Sequence, residues 1–358
     1  MKTNTNTWKQ KTISGLNTIF IVLIISILTF SVKGQDIHFT QIQYFPLSLN
    51  PAMSGANYAL SGNIIYRNQW KAVASPYNTF GLSVDGRISK SPKGHFFAGG
   101  IKFFNDNTGD LSLKTNDVTL NGAYHLRVNQ GQHLGIGIYA GIIQKSINMN
   151  NAQWESQYDD NAGVYNPSAP SNENFAPNSF IVPDAGLGFT YTYDKNEGMY
   201  NRGGQNIKFN IGFSAFHVNM PASTFLKNSK DKMYIRYVGF ASGDIGIGKS
   251  AFAVCPLLVY QLQGPTAELL AGFYGKYTFA KQQQGKSGGS VALGSIYRNK
   301  DAVTTNIVLE YDSYSIGFSY DINISQLKTI SRGKGAMEIF IRYVLPSPYG
   351  PGSSKARI

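Results

Sequence analysis

Gly243-Asp244-Ile245-Gly246-Ile247-Gly248-Lys249-Ser250 spells the GxxxxGKS pattern, in which backbone amides and a lysine cradle the phosphates of a nucleotide. That chemistry needs a helix beginning at the Lys-Ser pair, so that its first amides point at the anion. Here Ala251-Phe252-Ala253-Val254-Cys255-Pro256 follows, β-rich and stopped by proline, so the stretch reads as a glycine-rich turn between strands. Gly285-Lys286-Ser287-Gly288-Gly289 fits the hydrolase elbow pattern but follows Gln282-Gln283-Gln284. A nucleophile elbow needs a buried strand before it and a helix after it, and neither flank qualifies.

The five histidines, His38, His95, His125, His133 and His217, have no ligand spacing to one another; His217 is expected at the level of the lipid headgroups. Asp159 and Asp160 are a weak set for Ca²⁺, which takes about six to eight oxygens. Cys255 stands alone, which leaves no disulfide framework and no cysteine metal site. No catalytic set, cofactor or metal is therefore expected. Arg67 and Trp70 are more telling. A charge in a first strand must face a lumen or a loop, with Glu310 or Glu338 as partner, while Trp70 suits a membrane interface.

The elements that would position these residues are strands. From Ile207 to Ala215 the alternate residues are Ile207, Phe209, Ile211, Phe213 and Ala215, interleaved with Lys208, Asn210, Gly212 and Ser214. Period two with one apolar face is the mark of a strand between a greasy medium and a polar one. The pattern recurs in 58–67, 76–86, 95–105, 115–126, 132–143, 184–194, 206–216, 232–243, 251–263, 265–276, 289–298, 302–311, 313–321 and 335–345. An even number of strands about ten residues long is what a bacterial barrel in the outer membrane requires. Inward glycines such as Gly135, Gly137, Gly141, Gly186, Gly188 and Gly317 would leave room in a narrow or filled lumen.

Lys2, Lys9 and Lys11 precede an apolar run from Ile19 to Phe30. This is the build of a cleaved export signal over 1–34, with Gln35 as mature start. No other apolar stretch is long enough for a spanning helix, so entry into a membrane must be by a closed barrel. Charged residues make up 15% of the 358, against about 25% in an average globular domain. A lipid-facing wall accounts for the deficit, since a mid-depth charge costs about 2–4 kcal/mol. The net charge is +12, but the basic residues are scattered, which excludes the clustered footprint of a nucleic-acid binder. Attraction to outer-membrane lipid or to acidic partners is the reading left.

Two stretches break the rhythm: an N-terminal periplasmic or plug segment, 35–57, and the connection 144–183, whose Trp154 and Tyr158 stand in a loop long enough to be functional. Strand parity places that loop outside the cell if the chain starts in the periplasm. One barrel spans 58–345, and a tail, 346–358, follows.

Several motifs resemble one family. Phe45-Pro46-Leu47-Ser48-Leu49-Asn50-Pro51-Ala52, Tyr66-Arg67-Asn68-Gln69-Trp70, Asn105-Asp106, Pro183-Asp184-Ala185-Gly186-Leu187-Gly188, Gly317-Phe318-Ser319-Tyr320-Asp321 and Glu338-Ile339-Phe340-Ile341-Arg342-Tyr343 together resemble the PorP/SprF family of type IX secretion membrane proteins of Bacteroidota. The resemblance implies an outer-membrane barrel that works with the secretion machinery. Its members join the periplasmic ring and motor proteins or help specific cargo, such as large adhesins, reach the surface. The tail after Leu345 departs from the pattern.

The sequence thus predicts an all-β, transmembrane, antiparallel up-and-down barrel of about 14 strands, acting as a docking surface. Asn50 and Pro51, the 66–70 segment and the loop around Trp154 and Tyr158 are the candidate contacts, with Asn105, Asp106 and Asp184 as signature positions. A solute-conducting porin is the alternative, and it would need an open, charge-ringed lumen.

Overall fold

The computed structural model describes residues 36–71, 75–89, 94–149, 152–159, 163–171, 178–195, 207–226, 229–280 and 288–345. Leader, tail and the Gly285–Ser287 motif lie outside them. The wall is built from β1 (Leu60–Gln69), β2 (Tyr77–Arg87), β3 (Phe96–Thr108), β4 (Leu113–Asn129), β5 (Gln132–Ser146), β8 (Ser179–Asp194), β9 (Ile207–Phe216) and β10 (Arg236–Gly246). It continues through β11 (Phe252–Gln263), β12 (Thr266–Ala280), β13 (Gly289–Arg298), β14 (Ala302–Tyr311), β15 (Tyr314–Asn323) and β16 (Lys334–Leu345). Each strand pairs antiparallel with its neighbours, and β1 closes on β16 with Leu60 opposite Leu345. Closure leaves no unpaired edge, which a strand assembly in lipid needs.

All fourteen expected strands are present. Several run further than predicted, β4, β5, β10 and β12 by about a turn's worth of residues at one end or both, and two of the extensions take in residues of note. β8 begins at Ser179 and passes through Pro183, whose missing N–H had marked a stop; β3 continues past Asn105 to Thr108. The long connection also holds a short hairpin, β6 (Tyr158–Asp159) and β7 (Val164–Tyr165), which its sequence did not signal. The GxxxxGKS stretch is a turn from β10 to β11, with the Ile247 amide bonded to the Phe252 carbonyl at 2.9 Å. No nucleotide cradle forms.

The alternation sorts as its chemistry demands. Ile211 and Phe213 face outward at 51% and 49% exposure, while Asn210 and Ser214 point inward and are buried. Outward aromatics pair around the rim where β1 starts and β16 ends, called here the lower rim: Phe97 with Tyr124, Tyr193 with Phe209, Phe252 with Tyr277 and Tyr314 with Tyr343, at 4.8–5.1 Å between centroids. Rings at that level form an interfacial girdle. The opposite, upper rim carries the longest connections, 147–178 and 217–235.

Candidate functional site

The core of this protein lies inside the barrel. Before β1, the chain from Ile37 forms three single turns of 3-10 helix, Ile42–Tyr44, Pro46–Ser48 and Pro51–Met53. Proline at the first position of the second and third turns presets φ. Phe39, Ile42, Phe45, Leu49 and Met53 pack against inward residues including Val238, Val259, Leu270, Ile296 and Phe340. Burying each large apolar side chain contributes roughly 1.5–3 kcal/mol.

At the upper end of the lumen the segment is held by charge. The Thr40 and Gln41 amides donate to the two carboxylate oxygens of Glu338 at 2.9 and 2.7 Å. Arg67 bridges Glu338 at 3.1 Å and Asp321 at 2.9 Å, and Arg298 reaches Asp321 at 3.2 Å. The Thr40 hydroxyl accepts from Arg67 at 2.8 Å and from Arg298 at 2.5 Å, and donates to Asp321 at 3.1 Å. Two arginines, two carboxylates and one hydroxyl thus bond one another in a buried site, with Arg298 Nε the one group left over; mutual pairing is the condition under which such a cluster is tolerated. Beside it, His38 Nδ1 lies 3.2 Å from Glu268. Burial first, then the guanidiniums of Arg298, Arg67 and Arg236, hold the His38 pKa well below its ordinary value.

Halfway along, the joint is neutral. Asn50 Oδ1 caps the third turn by accepting from the Ala52 amide at 2.8 Å, while Nδ2 donates to the carbonyls of Phe189 and Phe213 in the wall, at 2.9 and 3.0 Å. Such close approach requires glycine opposite. A Cβ at Gly188 would lie 2.0 Å from Asn50 Oδ1, and one at Gly137 would lie 2.4 Å from the Ala52 nitrogen.

At the lower end, His125 Nε2 meets the Ser54 carbonyl at 2.8 Å, the Gly55 amide donates to Asp85 at 2.8 Å, and Arg87 donates to the Gly55 carbonyl at 2.9 Å. The segment therefore crosses the lumen from the upper rim to the lower before turning back as β1.

The signature residues do not converge on one pocket. Arg67 has the expected partner Glu338, whereas Glu310 is bonded to Arg342 at 3.0 Å. Gln69 accepts from Arg67 Nε at 3.2 Å, Asn68 donates to Asn78 at 2.6 Å, and Trp70, in a left-handed turn with φ 63°, packs its ring against Tyr77 at 4.6 Å and a tilt of 59°. Asn105 bonds Asn116 and Asp106 accepts from Thr79, both at 2.6 Å. Trp154 is half-buried and Tyr158 exposed in the long loop. Asn50 is fully enclosed and Pro51 is buried, both inside the barrel wall.

Asp184 is buried and joins two residues that sequence reasoning missed as its partners: His217 Nδ1 at 2.8 Å and the Tyr139 hydroxyl at 2.9 Å. His217 is 4% exposed, not at the lipid surface, because the chain leaves β9 in a left-handed turn, φ 57°, that brings the ring inward. Thr40, Asp321 and Arg298 were also missed. Inward parity of β13 and β15 marks the last two, but their meeting depends on strand register that one sequence does not display. Among the described residues no group of three or more His, Cys, Asp or Glu could hold a metal ion.

Residues 31–343 match the family model described as type IX secretion system membrane protein PorP/SprF. No curated protein matches. Among solved structures, the toluene transporter TbuX of Ralstonia pickettii aligns at 10% identity and TM-score 0.44, over 84% of this chain and 94% of that one. BamA of Haemophilus ducreyi lacking POTRA domains 1–3 aligns at 11% identity and TM-score 0.42, over 80% and 70%.

Proposed function

We propose, from the premise that this chain belongs to the PorP/SprF family of type IX secretion system membrane proteins, that its barrel docks secretion partners at its rims and conducts no solute. The coarser statement stands on the family: the chain is an outer-membrane barrel component of that system. Docking is supported by one observation above all. The chain's own residues 37–57 run through the lumen and pack an apolar core against the inner wall. A porin would need the reverse.

With the lumen occupied by this segment, the two rims are the surfaces this reading assigns to partners. Outer-membrane barrels keep short turns on the periplasmic side and longer loops outside; we assign the upper rim to the cell surface on that basis. Trp154 and Tyr158 in the 147–178 connection are then positioned for secreted cargo, since aromatics bury much contact area from few positions. The lower rim is left for periplasmic ring or motor proteins. No catalytic step is assigned.

The test is affinity purification of the tagged protein from gently solubilised outer membranes, with planar-bilayer conductance measured on the same material. Ring or motor subunits in the eluate would support anchoring, and one large surface protein would support cargo export. A bare barrel with a stable open conductance would overturn the reading.

A further inference from the structure

Charge is unevenly distributed around the upper rim. Between β13 and β16, Lys300, Lys328, Arg332 and Lys334 are all exposed. Of the acids of the same stretch only Asp301 stays at this rim, and it is bonded to Arg298 at 2.9 Å. Glu310 and Asp312 stand at the lower rim, and Asp321 points into the lumen.

Lys300, Lys328 and Arg332 sit on two connections that touch, and Lys334 opens β16 beside them. The amides of Ile324 and Ser325 donate to the Asp301 carbonyl at 2.8 and 3.1 Å. The short helix α1 (Leu327–Ser331) is fixed by Asn323 Nδ2 donating to Ser331 Oγ at 3.1 Å and closed by Arg332 at φ 53°. Lys334 pairs with the outward residue Ile322 in the β15–β16 ladder. The Lys300 amide donates to the hydroxyl of Tyr297, an outward side chain, at 3.4 Å. The cations therefore stand directly above lipid-facing Tyr297, Tyr320 and Ile322, with Ile324 and Ile330 exposed among them.

We propose that this patch binds the phosphate groups of the glycolipid of the outer leaflet. Clustered cations next to an apolar wall match a phosphorylated headgroup carried on acyl chains, and the patch is continuous with the surface that meets those chains. The assignment rests on the upper rim facing the cell exterior, so the two are tested separately.

The full-length barrel in nonionic detergent is titrated with mixed micelles containing monophosphoryl lipid A, its phosphate-free counterpart, or phosphatidylglycerol. Binding of the phosphorylated glycolipid is expected to weaken about tenfold or more in Lys328→Gln/Arg332→Asn/Lys334→Gln, and with added salt. Lys230→Gln/Lys232→Gln, in the 217–235 connection, is expected to bind as the parent does. Equal binding by the triple variant, by the phosphate-free lipid or by phosphatidylglycerol overturns the proposal. Orientation is read independently from Lys300→Cys in a Cys255→Ala background. Labelling by an impermeant maleimide on intact cells supports it, and protection there with labelling after lysis overturns the rim assignment while leaving the binding result readable.

Discussion

The lumen holds its N-terminal segment by two different chemistries. At the upper end Thr40 and Gln41 are seized by Glu338, Asp321, Arg67 and Arg298. At the middle Asn50 is held by backbone groups and by the absence of side chains at Gly137 and Gly188. The charged end reads partly the backbone, through two consecutive amides, so it fixes where the segment sits more than what it is. The neutral joint reads shape and admits only a side chain as small and as polar as asparagine. A buried ion cluster is costly to break yet contributes little net over a well-packed apolar replacement, so its best-founded role is register. The glycine-lined joint supplies the fit.

Removing one partner of the charged cluster should have the largest effect. Arg67→Met leaves Asp321 and Glu338 without their shared counter-ion, and loss of a partner from a buried pair costs about 3–5 kcal/mol. The measurement is heat-modifiable gel migration of the purified barrel, with protease sensitivity of residues 36–57 as a local readout. If Arg67→Met melted as the parent does while Asn50→Ala did not, the ranking of the two regions would be reversed.

Shape should come second. Gly188→Ala places a methyl against Asn50, and overpacking of this kind costs roughly 1–3 kcal/mol. Asn50→Ala alone loses bonds to two wall carbonyls and a turn cap, again about 1–3 kcal/mol. Because the added methyl and the amide compete for one space, the double variant should cost less than the sum, the signature of direct coupling. Strict additivity would show that the 2.0 Å approach is relieved by movement of the segment.

How much of this was legible follows from which signals are local. Period-two alternation located every wall strand, because lipid on one side and lumen on the other leave little freedom at each position. A lumenal acid, Glu310 or Glu338, could be expected opposite Arg67, but which of the two it is depends on how the barrel closes. The segment 35–57 stood out by its broken rhythm, and the inward glycines announced something to accommodate. Its direction across the lumen was not legible, because no local pattern encodes which rim a plug enters from. Asp321 with Arg298, and His217 with Asp184 and Tyr139, depend on register and on one left-handed turn, and Pro183 concealed the true start of β8.

The smallest expected effect separates the two regions by pH. His38 belongs to the charged end, and nothing that titrates near neutrality touches Asn50. With the segment seated, burial and nearby guanidiniums depress the His38 pKa; with it released, the imidazole returns to an ordinary value of about 6.5. Between those two values the released form binds more protons, so seating is favoured at higher pH. The contribution is fully present above about 6.5 and is lost as pH falls below that value toward the depressed one. His38→Gln should remove this contribution and leave the Asn50 joint intact. Protease accessibility of the upper part of the segment, followed from pH 8 to pH 5, reads it directly. A parent protein whose upper end loosened with rising pH instead, with that slope lost in His38→Gln, would mean that His38 is seated as a cation paired to Glu268, and the charged end would then be more strongly ionic than its geometry implies.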